Sequence, residues 1–343
     1  MTAAEYKDQA NAFFKGGYYQ DAVDLYTKAI ELDQTQCTFY SNRAAALLEM
    51  RKYPLALQDC ICALALDQTF TKAHFRAAKC LLYMGKLDDA ADQLMIVKKS
   101  VNNKHISNQT QAVEKELKLI AAVRTYLAEY EMEKKGKRYT DALKKLESAF
   151  IAIDMGLSGT GMASSLSRID TRKLGKISFQ WKTWRCELLV LCGDILEASQ
   201  SCAALMWENQ LDSQTLYLRA LIWNLLDSQP ADKIVEVLLK SYQMDFENPR
   251  PVPLRKKVKV MEVFRQKGNA AFKAGDFTLA LTSYQGFLDV DAEYFGITKA
   301  KILSNRATVY SKVPTCNPAS EIRRIGRRLP SIPRYPRSYL FSM

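Results

Sequence analysis

Small apolar side chains return every 34 positions along the N-terminal part of the chain: Ala10, Ala44 and Ala78; Ala22, Ala56 and Ala90; Ala29, Ala63 and Val97. A small residue held at one phase marks helix pairs packed so closely that little more than a methyl fits between them. Around these positions the apolar residues keep a helical period. Tyr6, Ala10, Phe13 and Phe14 form one stripe, and Ala22, Leu25, Tyr26 and Ala29 form the facing one. The pattern predicts a helix from about Ala4 to Lys15 and a second from about Gln20 to Leu32, with Gly16-Gly17 where a helix C-cap belongs. A second copy runs from Cys37 to about Phe70, with Pro54 suited to the first turn of its second helix. A third runs from Thr71 to about Ser100 and turns at Gly85.

Beyond this block the pattern weakens. Val101 to about Gln109 is polar and reads as a loop; about Gln111 to Lys135 reads as a long charged helix, and Tyr139 to Ala149 completes a degenerate fourth unit. Residues 156–175 are rich in Ser and Gly and are expected to form a flexible insertion. The unit returns over Trp181 to Leu205, and Ala220 falls 34 residues after Cys186. Trp184, Trp207 and Trp223 are assigned to the core. Pro249 to Lys259 reads as a linker. A fresh copy follows with Arg265, Gly268, Asn269, Phe272, Ala280 and Tyr284, then one more first helix with Asn305, Ala307 and Tyr310. After about Val313 the pattern stops, and five prolines and six arginines crowd the tail. This predicts four segments: a complete three-copy domain over 1–108, degenerate copies over 109–250, the start of a second domain over 251–313, and a non-repeat tail over 314–343. The break at Val313 is what a truncated or alternatively spliced product, or a shifted frame, would give.

Composition narrows the function classes. A hydrophobic content of 48% supports a folded core. The start, Met1-Thr2-Ala3-Ala4-Glu5, reads as no secretory signal, and no apolar run approaches the roughly 18 residues that span a bilayer. Eight scattered cysteines without a CxxC pair read as core thiols in a reducing compartment. With two histidines, His74 and His105, no metal site is expected, and no cofactor either. The net charge of +12 raises nucleic acid as a partner, but the tail alone supplies +5, and elsewhere acids and bases interleave. Nucleic acid and membrane are therefore not expected as partners. No phosphate loop, nucleophile elbow or metal spacing suggests an enzyme.

Five polar residues carry the functional reading. Lys7 and Asn11 lie one helical turn apart on one face, as do Lys72 and Arg76, and Asn42 sits on the corresponding helix between them. Three cations and two carboxamides on the first helices suit the carboxylates of an extended acidic peptide, above all a free C-terminus.

Ala10, Phe13, Ala22, Tyr26 and Ala29, in that order, resemble the tetratricopeptide repeat, which implies an all-α superhelix, or solenoid, of helix-turn-helix units. Gln34 and Gln68 stand where that family usually places a proline. The spacings of 4, 31, 30 and 4 from Lys7 to Arg76 are similar to the carboxylate clamp of tetratricopeptide co-chaperones. By that resemblance, Lys7, Asn11 and Asn42 hold a terminal carboxylate and its Asp, and Lys72 and Arg76 hold an upstream carboxylate and backbone. The implied partners are the Glu-Glu-Val-Asp tails of heat shock proteins 70 and 90, and the implied location is the cytoplasm, with the nucleus as a second one. Arg265, Asn269 and Asn305 resemble the first half of a second clamp. The layout is similar to two-clamp members of the DnaJ class, but the sequence holds no His-Pro-Asp tripeptide: Phe75 follows His74, and Ile106 follows His105. An alternative function is a scaffold that grips internal peptide segments of another assembly.

Overall fold

The computed structural model describes residues 1–102, 107–155 and 176–312. Within them the chain forms fifteen α-helices and no strand. The first six are α1 (Ala3–Lys15), α2 (Tyr19–Leu32), α3 (Cys37–Glu49), α4 (Tyr53–Leu66), α5 (Thr71–Tyr83) and α6 (Leu87–Asn102). Each odd helix packs on the even helix that follows it, and neighbouring pairs stack, as the 34-residue period requires. Thr2 opens α1 with a capping box, its hydroxyl on the Glu5 amide and the Glu5 carboxylate on its own. Gly17 takes φ +81° in the first turn, and Gly85 takes the same value in the third.

The repeated small residues are all buried: Ala10, Ala22, Ala29, Ala44, Ala56, Ala63 and Ala90 fully, Ala78 and Val97 nearly so. Proline is absent at the repeat ends because another device serves there. Asp33 accepts hydrogen bonds from the Thr35 amide at 2.9 Å and its hydroxyl at 2.7 Å. Thirty-four residues on, Asp67 accepts the same two bonds from Thr69, each at 2.8 Å. These hydroxyl and amide donors hold both carboxyls below their usual range. Buried His74 adds a contact between its Nε2 and the Gln68 carbonyl at 3.0 Å.

Next come α7 (Ser107–Lys135) and α8 (Tyr139–Met155), which pack on each other. Both described ends of the polar stretch expected to be a loop are helical: α6 continues to Asn102 and α7 begins at Ser107. Tyr130 stacks on Trp184 with ring centroids 5.6 Å apart. The predicted Ser/Gly-rich insertion at 156–175 lies outside the described residues.

α9 (Phe179–Cys192) is followed by α10 (Ile195–Glu208), α11 (Ser213–Leu226), α12 (Ala231–Met244), α13 (Pro251–Ala274), α14 (Phe277–Val290) and α15 (Ile297–Lys312). The chain divides into two compact units between Leu188 and Leu189. The first is built on the alanine seams and on a larger core around Leu94, Ile120, Leu146 and Phe150. The second includes a cluster of Ala220, Ile234, Val235, Leu238 and Val258. Pro249 to Lys259 is not a linker, since α13 is helical from Pro251. Its prolines stay in the first turn, where amide hydrogens have no intrahelical partner to lose.

Two core assignments fail. Trp207 is 87% exposed, because it lies two residues past Leu205 and off the face that buries Ala198, Cys202 and Leu205. Phe13 is 41% exposed and meets Tyr18 edge-on at 6.1 Å. Trp184 and Trp223 are half-buried against the core. Seven of the cysteines are described, all on helices: Cys60, Cys80, Cys186 and Cys202 buried, Cys37, Cys62 and Cys192 half-buried. Cys316 and the tail lie outside the described residues.

Candidate functional site

The first helices of the three N-terminal pairs are tied together by the residues singled out in the sequence. Asn11 on α1 is half-buried, and its Oδ1 accepts from Tyr26 Oη on α2 at 2.6 Å. The same oxygen receives Asn42 Nδ2 from α3 at 3.5 Å, which joins α1 to α3. Arg76 on α5 donates through Nη1 to the buried Ser41 Oγ, which joins α5 to α3. Burial pushes the Arg76 guanidinium below its usual range, while the neighbouring Cys60 and Tyr26 oppose that shift. Burial likewise raises Tyr26, and the Arg76 charge opposes it.

Three of the five predicted residues, Asn11, Asn42 and Arg76, thus share one hydrogen-bonded and electrostatic cluster. Lys7 lies one turn before Asn11 and pairs with exposed Asp8 at 2.9 Å, so the cationic face is not free of acid. Such an exposed pair is worth about 1 kcal/mol or less and yields readily to a competing carboxylate. Lys72 stands exposed one turn before Arg76.

Sequence reasoning missed Tyr26, Ser41 and the Arg43–Asp59 pair. Arg43 on α3 grips Asp59 on α4 through Nε at 2.8 Å and Nη2 at 2.7 Å, and its Nη1 donates to Thr27 Oγ1 at 3.0 Å. A signal for Tyr26 existed in the spacing: a tyrosine follows the key asparagine by 15 residues in both domains.

The second unit repeats the carboxamide cluster. Asn269 Oδ1 on α13 accepts from Tyr284 Oη on α14 at 2.9 Å and from Asn305 Nδ2 on α15 at 3.3 Å. These residues, with Phe272, Lys273 and Thr308, line a cavity of about 180 Å³. The clamp-type cation of this unit lies outside that cavity and is engaged. Arg265 holds Glu262 with two bonds, Nε at 2.8 Å and Nη2 at 3.0 Å, and lies 3.8 Å from Asp227. Lys301 joins Asp227 at 2.8 Å. The Glu262 carboxylate, ahead of the opposing effect of burial, raises Arg265 further. Among the described residues no cluster of three metal-ligating side chains occurs, and no helix is long and apolar enough to cross a membrane.

Comparison with known proteins agrees with this architecture. A family model described as TPR repeat matches residues 10–50. The TPR domain of P58(IPK), a crystal structure, superposes with a TM-score of 0.61 at 19% identity, covering 95% of this chain and 83% of that one. The fold is an all-α tetratricopeptide-repeat solenoid. Among its relatives is human DnaJ homolog subfamily C member 7, 26% identical over 321 residues, or 93% of this chain and 58% of the relative. The repeat chain therefore spans somewhat over half the length of that protein. RNA polymerase II-associated protein 3 of Xenopus tropicalis is 34% identical over 112 residues, covering 32% of this chain and 17% of that one.

Proposed function

We propose that the chain is a non-catalytic co-chaperone adaptor of the cytosol that binds the acidic C-terminal tails of heat shock proteins 70 and 90 through Lys7, Asn11, Asn42, Lys72 and Arg76. The observation that carries this reading is the pair of links across α1, α3 and α5: Asn42 to Asn11, and Arg76 to Ser41, the neighbour of Asn42. It sets two carboxamides and a guanidinium on neighbouring first helices, with Lys7 and Lys72 one turn from them. A terminal carboxylate would accept from Lys7 and the carboxamides; an upstream carboxylate would accept from Lys72 and Arg76. Each charge-assisted bond contributes about 1.5–3 kcal/mol when partly desolvated. The relationship to a DnaJ homologue along 93% of the chain supports a chaperone partner. The chain then divides, in this proposal, into a complete clamp domain at 1–108, middle repeats, and a partial second clamp from 251.

Titration of a peptide ending in Glu-Glu-Val-Asp against the wild type and Lys72→Ala/Arg76→Ala tests the reading. The double variant is expected to bind at least about 10-fold more weakly, a loss near 1.4 kcal/mol. Equal affinities would overturn the site assignment.

A second reading, recognition of internal peptide segments, is favoured at one place. Arg265, the cation that would begin a second clamp, is held by Glu262 and Asp227, so the Asn269–Asn305 cavity keeps Lys273 as its lining cation and offers a carboxylate fewer charged donors than a full clamp would. Amidating the peptide C-terminus separates the two modes, since it abolishes binding to a carboxylate site and spares an internal-segment site.

A further inference from the structure

We infer that Tyr26 is a positioning residue of the N-terminal site, its hydroxyl fixing the Asn11 amide so that Nδ2, not Oδ1, faces the bound peptide. The inference rests on the carboxylate-tail reading above and deepens it by assigning the polarity of one of its donors.

Asparagine offers an acceptor end and a donor end that differ little in shape, and only the donor end can serve a carboxylate. Rotation of the Asn11 amide would turn the site from attractive to repulsive. Two donors meet at its oxygen: Tyr26 Oη at 2.6 Å and Asn42 Nδ2 at 3.5 Å. An amide oxygen has two lone pairs, so both are engaged and the two N–H donors are left over. The direction of the tyrosine bond is set by its surroundings. Arg76 lies close enough to Tyr26 to stabilise negative charge on its oxygen. The phenol, 2.6 Å from the amide oxygen, donates its proton to Asn11.

Three features separate this from incidental packing. Tyr26 is 1% exposed, so its ring is held by the core and the hydroxyl has little freedom to leave. The scaffold does not require a hydroxyl there: the positions 34 and 68 residues on are Cys60 and Leu94, both buried. The arrangement also recurs in the second unit, where Tyr284, again 1% exposed, donates to Asn269 and Asn305 supplies the second donor. An amide ordered before the peptide arrives loses less entropy on binding.

The test uses the full chain as wild type and three variants: Tyr26→Phe, Asn11→Ala and the double variant. Each is titrated with a Glu-Glu-Val-Asp peptide carrying a free or an amidated C-terminus. Tyr26→Phe keeps the ring and is expected to weaken the free-acid peptide about 5–10-fold, the size of one hydrogen bond, with no effect on the amidated one. The double variant is expected to bind no more weakly than Asn11→Ala. Wild-type affinity in Tyr26→Phe, alongside a clear loss in Asn11→Ala, would overturn the inference; so would additive losses in the double variant. A second readout does not depend on peptide binding. The side-chain NH2 resonances of Asn11, assigned by their loss in Asn11→Ala, should move in Tyr26→Phe without ligand. If they stay put, Tyr26 does not position Asn11, whatever the peptide does. If the wild type fails to distinguish the two peptide termini, the carboxylate reading fails and the resonance shift alone decides the inference.

Discussion

At the residue scale, one position shows how the same side chain gains or loses its role with its partner. Arg43 is a half-buried cation with a two-bond carboxylate partner, Asp59, itself 5% exposed. Removing that partner by Asp59→Ala leaves the guanidinium uncompensated and should cost about 3 kcal/mol, read from the urea midpoint at constant m. Arg306 follows Asn305 as Arg43 follows Asn42, yet its buried Nε has no hydrogen-bond partner among the described residues. Arg306→Met should therefore be neutral or stabilising, whereas Arg43→Met should destabilise. The two arginines sit in the same local sequence, Ser-Asn-Arg-Ala, and what separates them is a carboxylate 16 residues on, present as Asp59 in one case only. The same limit hid Tyr26 and Ser41. A hydroxyl on an apolar helix face reads as core until its hydrogen-bond partner is located in space.

At the element scale, glycines mark where helices approach or turn. Gly268 on α13 faces Tyr284, and an added Cβ would lie 2.5 Å from the ring. Gly268→Ala should thus displace the tyrosine from Asn269 and destabilise the second unit by about 1–3 kcal/mol, measured by urea unfolding with tyrosine fluorescence. Gly275 has φ +81° but open space around its Cβ position, so Gly275→Ala should lose only about 1 kcal/mol from backbone strain. The starts of the first two helices were legible to within a residue: α1 begins at Ala3 against the expected Ala4, and α2 at Tyr19 against Gln20. The long α13 was not. Its Pro251 and Pro253 signal a break when met in sequence, but in the first helical turn they remove no hydrogen bond.

At the scale of the whole molecule, each unit holds a tyrosine, half-buried in the first and buried in the second, whose ionisation opposes folding. Burial pushes Tyr83 in the first unit and Tyr294 in the second up to about 12 from an ordinary value near 10. Below pH 10 both states are protonated and the fold keeps its full stability. From pH 10 to about 12 the unfolded chain releases these protons before the folded one does, so stability falls across that window. A urea midpoint that declines from pH 10 to 12, with a shallower decline in Tyr83→Phe, is the expected result.

The sequence by itself determined the repeat class and the phase of the N-terminal helix pairs, and it offered the residues of the proposed peptide site. These follow from periodicity, because a close helix–helix seam admits only small side chains and repeats with the unit. Only the tertiary structure decided which polar groups are spent on each other. Asn42 is joined to Asn11 and Arg76 to Ser41, whereas Arg265 is held by Glu262 and Asp227. It also decided that Trp207 faces outward while Trp181 is buried. The physical reason is common to all of these. A hydrogen bond or an ion pair depends on distances of about 3 Å between residues far apart in the chain, and composition and spacing do not encode those distances.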